Sequence, residues 1–269
     1  MNGHVNRFYR KFVDEVAPIR LYHEVIPLHD NPKLSWEEVS KKSEELPKGW
    51  FELSKLSSQD RVDFTREYWL SVLPYVPHVN RFLQNFFAKL DDVGVYLMQL
   101  KVDSPFECEM VYSLRDDTCF FHGAPPCEPD NIEQLRLQFD DALPEDFLAF
   151  LKIHDGFSKY TDTGVVKSKN IVPLYRQLQL ELVGEDQEIV SRDEAIDPKD
   201  LIPFYESFGQ PSFQCFYVRW VPGKAAGNVY YSLVEQVISD FHDRNAWLEN
   251  LAFPTFLDWL IFYMEGIET

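Results

Sequence analysis

The chain has 269 residues, 45% of them hydrophobic and 15% aromatic, which is the composition of a globular protein and argues against disorder. With 26 Lys and Arg against 44 Asp and Glu, the net charge is −18, a balance that repels phosphate backbones and disfavours nucleic-acid partners. Four cysteines without regular spacing, a polar first dozen residues and no span-length apolar run argue against a disulfide scaffold, a signal peptide and a membrane helix; a cytoplasmic protein is expected.

In chain order, Val5, Phe8, Phe12, Val13 and Val16 recur at helical spacing and predict an opening helix that ends before Pro18. Residues 18–34, with Pro18, Pro27 and Pro32, read as irregular connection. Ser35 and Glu38 have capping-box spacing and start a second helix expected to run toward Pro47. Val62, Thr65, Trp69, Val72 and Leu73 predict a third helix, stopped by Pro74. A fourth follows Pro77, with Val79, Phe82, Leu83, Phe86, Phe87 and Leu90 on one face. The pattern then changes. Residues 93–100 and 106–114 are rich in β-formers, with a turn at 103–105 between them, and residues 118–121 supply a third short strand after the turn at Arg115-Asp116-Asp117. Helices are expected at about 130–138 and 144–154, and another, starting after Ser168, on Ile171, Leu174, Leu178 and Leu182. Strands at 201–205, 212–220 and 228–233 follow, with a Pro222-Gly223 turn before the last. A final helix after Pro254 buries Phe256, Trp259, Leu260 and Tyr263. The fold class this implies is α+β: a mostly antiparallel sheet flanked by helices, with an N-terminal helical extension and a β-meander. The expected division is 1–127, a helical region and meander that pack onto or extend the sheet, and 128–269, a second α+β unit.

One stretch stands out. In Leu143–Phe157, Pro144 suits a helix start, Glu145 and Asp146 complement the positive end of the helix dipole, and Phe147, Phe150, Leu151 and His154 share one face. Gly156 can take the left-handed conformation that ends the helix. The series Leu143-Pro144-Glu145-Asp146-Phe147, then Phe150-Leu151, then Asp155-Gly156, resembles the SUKH superfamily, the Smi/Knr-like fold. Ile132-Glu133 resembles its preceding helix, Leu201-Ile202-Pro203-Phe204 its Ile-Pro-aromatic strand, Gln214–Val218 and Val229-Tyr230-Tyr231 its strand pair, and Phe253-Pro254-Thr255-Phe256-Leu257 its closing helix. The resemblance covers about residues 128–265. His154-Asp155-Gly156 departs from the usual Asn-Gly pair, Pro254-Thr255 departs from the usual serine, and residues 1–90 have no counterpart in the minimal domain. The resemblance implies a binding role without a cofactor: many members are similar to bacterial immunity proteins that neutralise toxins, others to regulators of cell-wall synthesis and signalling.

Enzymatic readings are weaker. Cys119, His122 and Cys127, with Cys108 nearby, offer thiolate and imidazole ligands for zinc, but paired Cys-x-x-Cys knuckles are missing. Glu107 and Glu109 share a strand face, and Asp116-Asp117 and Asp140-Asp141 are adjacent pairs; paired carboxylates can do acid–base work, yet 44 acidic residues generate such pairs by abundance. No nucleophile elbow, phosphate loop or metalloprotease pattern occurs, and His154 reads as a packing or capping residue. The expectation is therefore a protein-binding module with no catalytic residue, metal or cofactor. Its expected partner is a protein, a basic toxin or effector, held by Asp155, Tyr205, Glu206, Trp220, Tyr230 and Tyr231; aromatics with polar ends favour interfaces. Tyr217 belongs with the same aromatics, and all of them equally suit a buried sheet face. The acidity fits charge steering or plain solubility. A secretion chaperone or scaffold is the alternative, and an uncharacterised hydrolase a third.

Overall fold

Two long runs of β-formers build the centre of the N-terminal half. Strand β2 (Leu90–Gln99) pairs antiparallel with β3 (Phe106–Leu114), β3 pairs with β4 (Phe120–Gly123), and β2 also carries the edge strand β1 (Glu24–Pro27). The computed structural model describes residues 1, 3–13, 22–115, 119–184, 189–192, 194–207, 209, 211–242 and 251–265. The chain divides into two units, Met1–Pro125 and Pro126–Thr269.

In the first unit, helices α1 (Gly3–Val13), α2 (Trp36–Val39), α3 (Lys48–Ser54), α4 (Ser58–Val72) and α5 (Pro77–Lys89) accompany the meander. Alternation sorts the strand residues. Val93 lies opposite Tyr112 and Val95 opposite Met110, on a face where Trp69 of α4 donates its indole N–H to the Tyr112 hydroxyl at 3.0 Å. Tyr96, Met98, Val111 and Phe120 face the other way and pack with Val5 and Tyr9 of α1, the Tyr9 and Tyr96 rings stacking at 4.3 Å.

Three expectations need correction here. The capping box at Ser35 forms as read, with Glu38 N–H donating to Ser35 Oγ and Ser35 N–H to the Glu38 carboxylate, but its helix ends at Val39. The following Ser40–Glu45 run is polar on every side, so a longer helix would have no apolar stripe to bury. Pro47 instead caps α3, which buries Trp50 and Phe51. The region taken as irregular holds β1, where Val25 faces Met98; Pro27 is tolerated because an edge strand can lack one N–H. The third strand of the meander sits at 120–123, two residues later than expected. Val16 and Asp116-Asp117 lie outside the described residues.

The second unit contains α6 (Pro129–Gln138), α7 (Glu145–Leu151), α8 (Ser168–Gly184) and α9 (Phe256–Glu265). Its strands β5 (Phe157–Lys159), β6 (Gly164–Val165), β9 (Leu201–Glu206), β10 (Ser212–Tyr217), β11 (Gly227–Ser232) and β12 (Val237–Ile238) pair antiparallel in that order. Between them in the chain, β7 (Ile189–Ser191) and β8 (Glu194–Ile196) form a separate pair. Leu178 and Leu182 of α8 join Leu201, Phe213, Cys215, Tyr217, Val229 and Tyr231 in one core. The other face is phenylalanine-rich: Phe204 stacks on Phe216 at 4.3 Å, and Phe147 of α7 reaches Phe216 and Phe256 at 5.1 Å each.

This is the α+β architecture that the sequence predicts. Helix α7 is shorter than the expected 144–154: it ends at Leu151, where the amides of Ile153 and His154 both turn back to the Phe150 carbonyl. Pro144 stands at the N-cap, one residue ahead of the first helical position, and Gly156 adopts φ +102°. Strand β10 stops at Tyr217, short of the expected Trp220. Among the described residues no helix is long and apolar enough to cross a membrane.

Candidate functional site

The motif residues of α7 are structural. Asp146 accepts Phe147 N–H through Oδ1 at 3.0 Å and Leu257 N–H through Oδ2 at 3.1 Å, so one carboxylate ties the start of α7 to the start of α9. Burial pushes its carboxyl up, against the pull of those backbone donors. Glu145 holds Arg136 in a two-pronged pair on the surface. Leu143, Phe147, Phe150 and Leu151 are all buried. His154 is buried between the Phe150 and Phe157 rings, in the packing role expected of it. Asp155 spends both oxygens on Ser168, accepting its N–H and, at 2.8 Å, its hydroxyl, and so anchors the first residue of α8.

The aromatic residues expected to form one patch are split by the pleat. Gln214 lies opposite Tyr205 on one side and Tyr230 on the other, which sets Tyr205, Gln214 and Tyr230 in a row across three strands. Tyr231 points the other way into the α8 core, only 2% exposed, and Trp220 packs against that same core. A Cβ on Gly227 would stand 2.4 Å from the Trp220 ring, so a glycine is what seats the indole there. Glu206 pairs in register with Phe213, a member of the α8 core, and burial followed by the charge of Glu181 raises its carboxyl. Tyr231 is therefore a core residue, and Glu206 and Trp220 do not join the Tyr205–Tyr230 row.

Other residues complete that row. Trp259 and Tyr263 of α9 stack at 5.2 Å, and the Tyr205 ring meets them at 5.2 and 5.4 Å. In the turn between β5 and β6, Asp162 accepts the Tyr263 hydroxyl at 2.9 Å and its neighbour's Thr163 N–H at 2.9 Å, while Tyr263 Oη accepts Lys159 N–H at 2.8 Å. Burial, then the negative charge of Asp162, holds the Tyr205 and Tyr263 hydroxyls firmly in the protonated form. Tyr205, Tyr230 and Tyr263 are each half-buried, and Tyr160, at φ +52°, is 41% exposed in the same turn. A pinned aromatic surface beside a carboxylate suits recognition of polar and cationic protein groups. Asp162 was invisible to sequence reasoning: it meets its partner 101 positions away, and only the Asp-Thr-Gly turn chemistry marks it.

The enzymatic candidates resolve differently. Glu107 and Glu109 do share a face of β3, where Glu109 accepts the Tyr9 hydroxyl at 2.9 Å and stands 3.3 Å from His122 Nδ1. Asp140 and Asp141 are exposed turn residues with positive φ. Cys108, Cys127 and Cys215 are buried; Cys127 donates to Ser168 Oγ at 3.2 Å, and burial pushes its thiol up to about 11, away from nucleophilic use. Among the described residues no group of three or more His, Cys, Asp or Glu side chains is arranged to hold a metal ion.

Charge is distributed unevenly. Residues 126–269 carry 25 Asp and Glu against 11 Lys and Arg, so −14 of the −18 falls in the second unit. The model of the SMI1/KNR4 family (SUKH-1) matches residues 126–261, which is nearly all of that unit. No curated protein matches the chain.

Proposed function

Because the chain belongs to the SMI1/KNR4 family (SUKH-1), we propose that it is a non-catalytic protein-binding module, an immunity-type or regulatory adaptor that masks a basic protein partner such as a toxin or effector. The observation that carries this reading is the concentration of negative charge in the family unit, −14 in 144 residues. A field of that sign steers cationic surfaces into encounter and turns nucleic acid away. The tyrosine row supports the same reading, since half-buried tyrosines offer rigid contact area at low entropic cost. We place the contact surface on Tyr205, Tyr230 and Tyr263. The test is affinity capture with the full chain from native extract at low and high salt, followed by mass spectrometry. A single basic protein retained at low salt and released at high salt is the expected result; capture of nothing, or of acidic proteins only, overturns the proposal.

A further inference from the structure

His29 is the most anomalous polar residue of the first unit. It lies in the 3₁₀ turn Leu28–Asp30 that directly follows edge strand β1. Its side chain is 2% exposed, and neither Nδ1 nor Nε2 has a hydrogen-bond partner. The ring is seated on the backbone of β2: a Cβ at Gly94 would stand 2.7 Å from its Cε1, so only glycine leaves room for it. Tyr96, next but one along β2, meets it edge-on with centroids 5.1 Å apart.

Charges face this seat from several elements. On its own turn, Asp30 Oδ1 is 3.8 Å from Nε2, with Asp30 itself half in solvent. From β2 come Asp92 and Asp91, and from α4 comes Arg61, whose Nη2 is 2.7 Å from Asp92 Oδ2. The α-amino group of Met1 is 2.9 Å from Asp92 and 3.6 Å from Asp91. Asp92 is thus already neutralised by two cations. Asp91 Oδ1 is buried without a hydrogen-bond partner. Burial holds His29 below its ordinary pKa; Asp30 and Asp92 pull the other way, and Arg61 and the amino group reinforce the burial. A neutral imidazole fits this seat as an apolar plug, whereas an imidazolium would carry two donors with nothing to receive them.

We propose that His29 is an acid-released latch: uncharged, it pins β1 and the turn after it to β2, and once protonated it leaves its seat toward Asp30 and water, freeing that edge of the meander. The released form binds the extra proton. The closed form is therefore fully favoured above the ordinary histidine value of about 6.5 and loses ground as pH falls below it. One proton gives at most about a tenfold rise in the opening constant per pH unit.

Hydrogen exchange by mass spectrometry, corrected for the intrinsic pH dependence of exchange, tests this on the full chain. Between pH 7.5 and 5.5, peptides covering 24–30 and 90–99 should lose protection by up to about tenfold, while β10 in the second unit does not change. In His29→Phe, which keeps the plug and removes the proton site, the change should vanish. An equal response in both proteins overturns the latch. A second readout is independent of that variant: the His29 Cε1–H resonance of the wild-type chain should titrate below the ordinary histidine value, and a midpoint at or above it also overturns the proposal.

Discussion

Asp146 shows how a motif residue can be conspicuous in sequence and still have no chemistry to do. Read alone, it is a helix-start acid; in the structure its second oxygen reaches Leu257 and closes a link between two helices 111 positions apart. Asp146→Ala leaves two partly buried N–H groups without acceptors and is expected to destabilise the chain by about 1–3 kcal/mol in chemical denaturation, against no measurable shift if the residue only tuned the dipole. Gly164 makes a companion case. At φ +74° its missing Cβ would lie 2.2 Å from the Phe157 carbonyl oxygen, so Gly164→Ala should lower the melting temperature, whereas Gly223→Ala, with open space around it, should not. At this scale, what the sequence displayed was local. Ser35 with Glu38, Pro144 and Gly156 all act within a few residues and could be read directly. The Asp162–Tyr263 and Asp146–Leu257 contacts could not, because nothing along the chain encodes which distant element a side chain will meet.

Among the elements, those with strong periodicity were legible and the short ones were not. The long strands β2 and β3 and helices α4, α5 and α8 follow their apolar patterns closely, since each buries a continuous face. Strands β5, β6, β7, β8 and β12 span only two or three residues, too few to show alternation, and exist because neighbouring strands offer paired edges. The predicted site suffered from the same scale. Reading Tyr230 and Tyr231 as partners ignored the pleat, which sends adjacent side chains to opposite faces. Helix α7 is the best element for a stability test. Phe147 touches Phe204, Phe216 and Phe256 and is fully buried, so Phe147→Ala should cost about 3–5 kcal/mol, the usual range for a large aromatic truncated in a packed core. A loss under 1 kcal/mol would mean that this phenylalanine face is not rigidly packed.

For the molecule as a whole, charge segregation is the organising property. The first unit is close to neutral for its size and the second strongly acidic, so the steering of the basic partner proposed above would rest chiefly on residues 126–269. Total charge was legible from composition, but its concentration in one unit became visible only with the unit boundary. The most direct measurement is the association rate of the full chain with its captured partner as ionic strength rises from about 0.05 to 0.5 M, a range over which the Debye length shrinks by roughly a factor of three. The account predicts a fall in on-rate of at least about tenfold, with a smaller change in off-rate. An on-rate that does not respond to salt would contradict it.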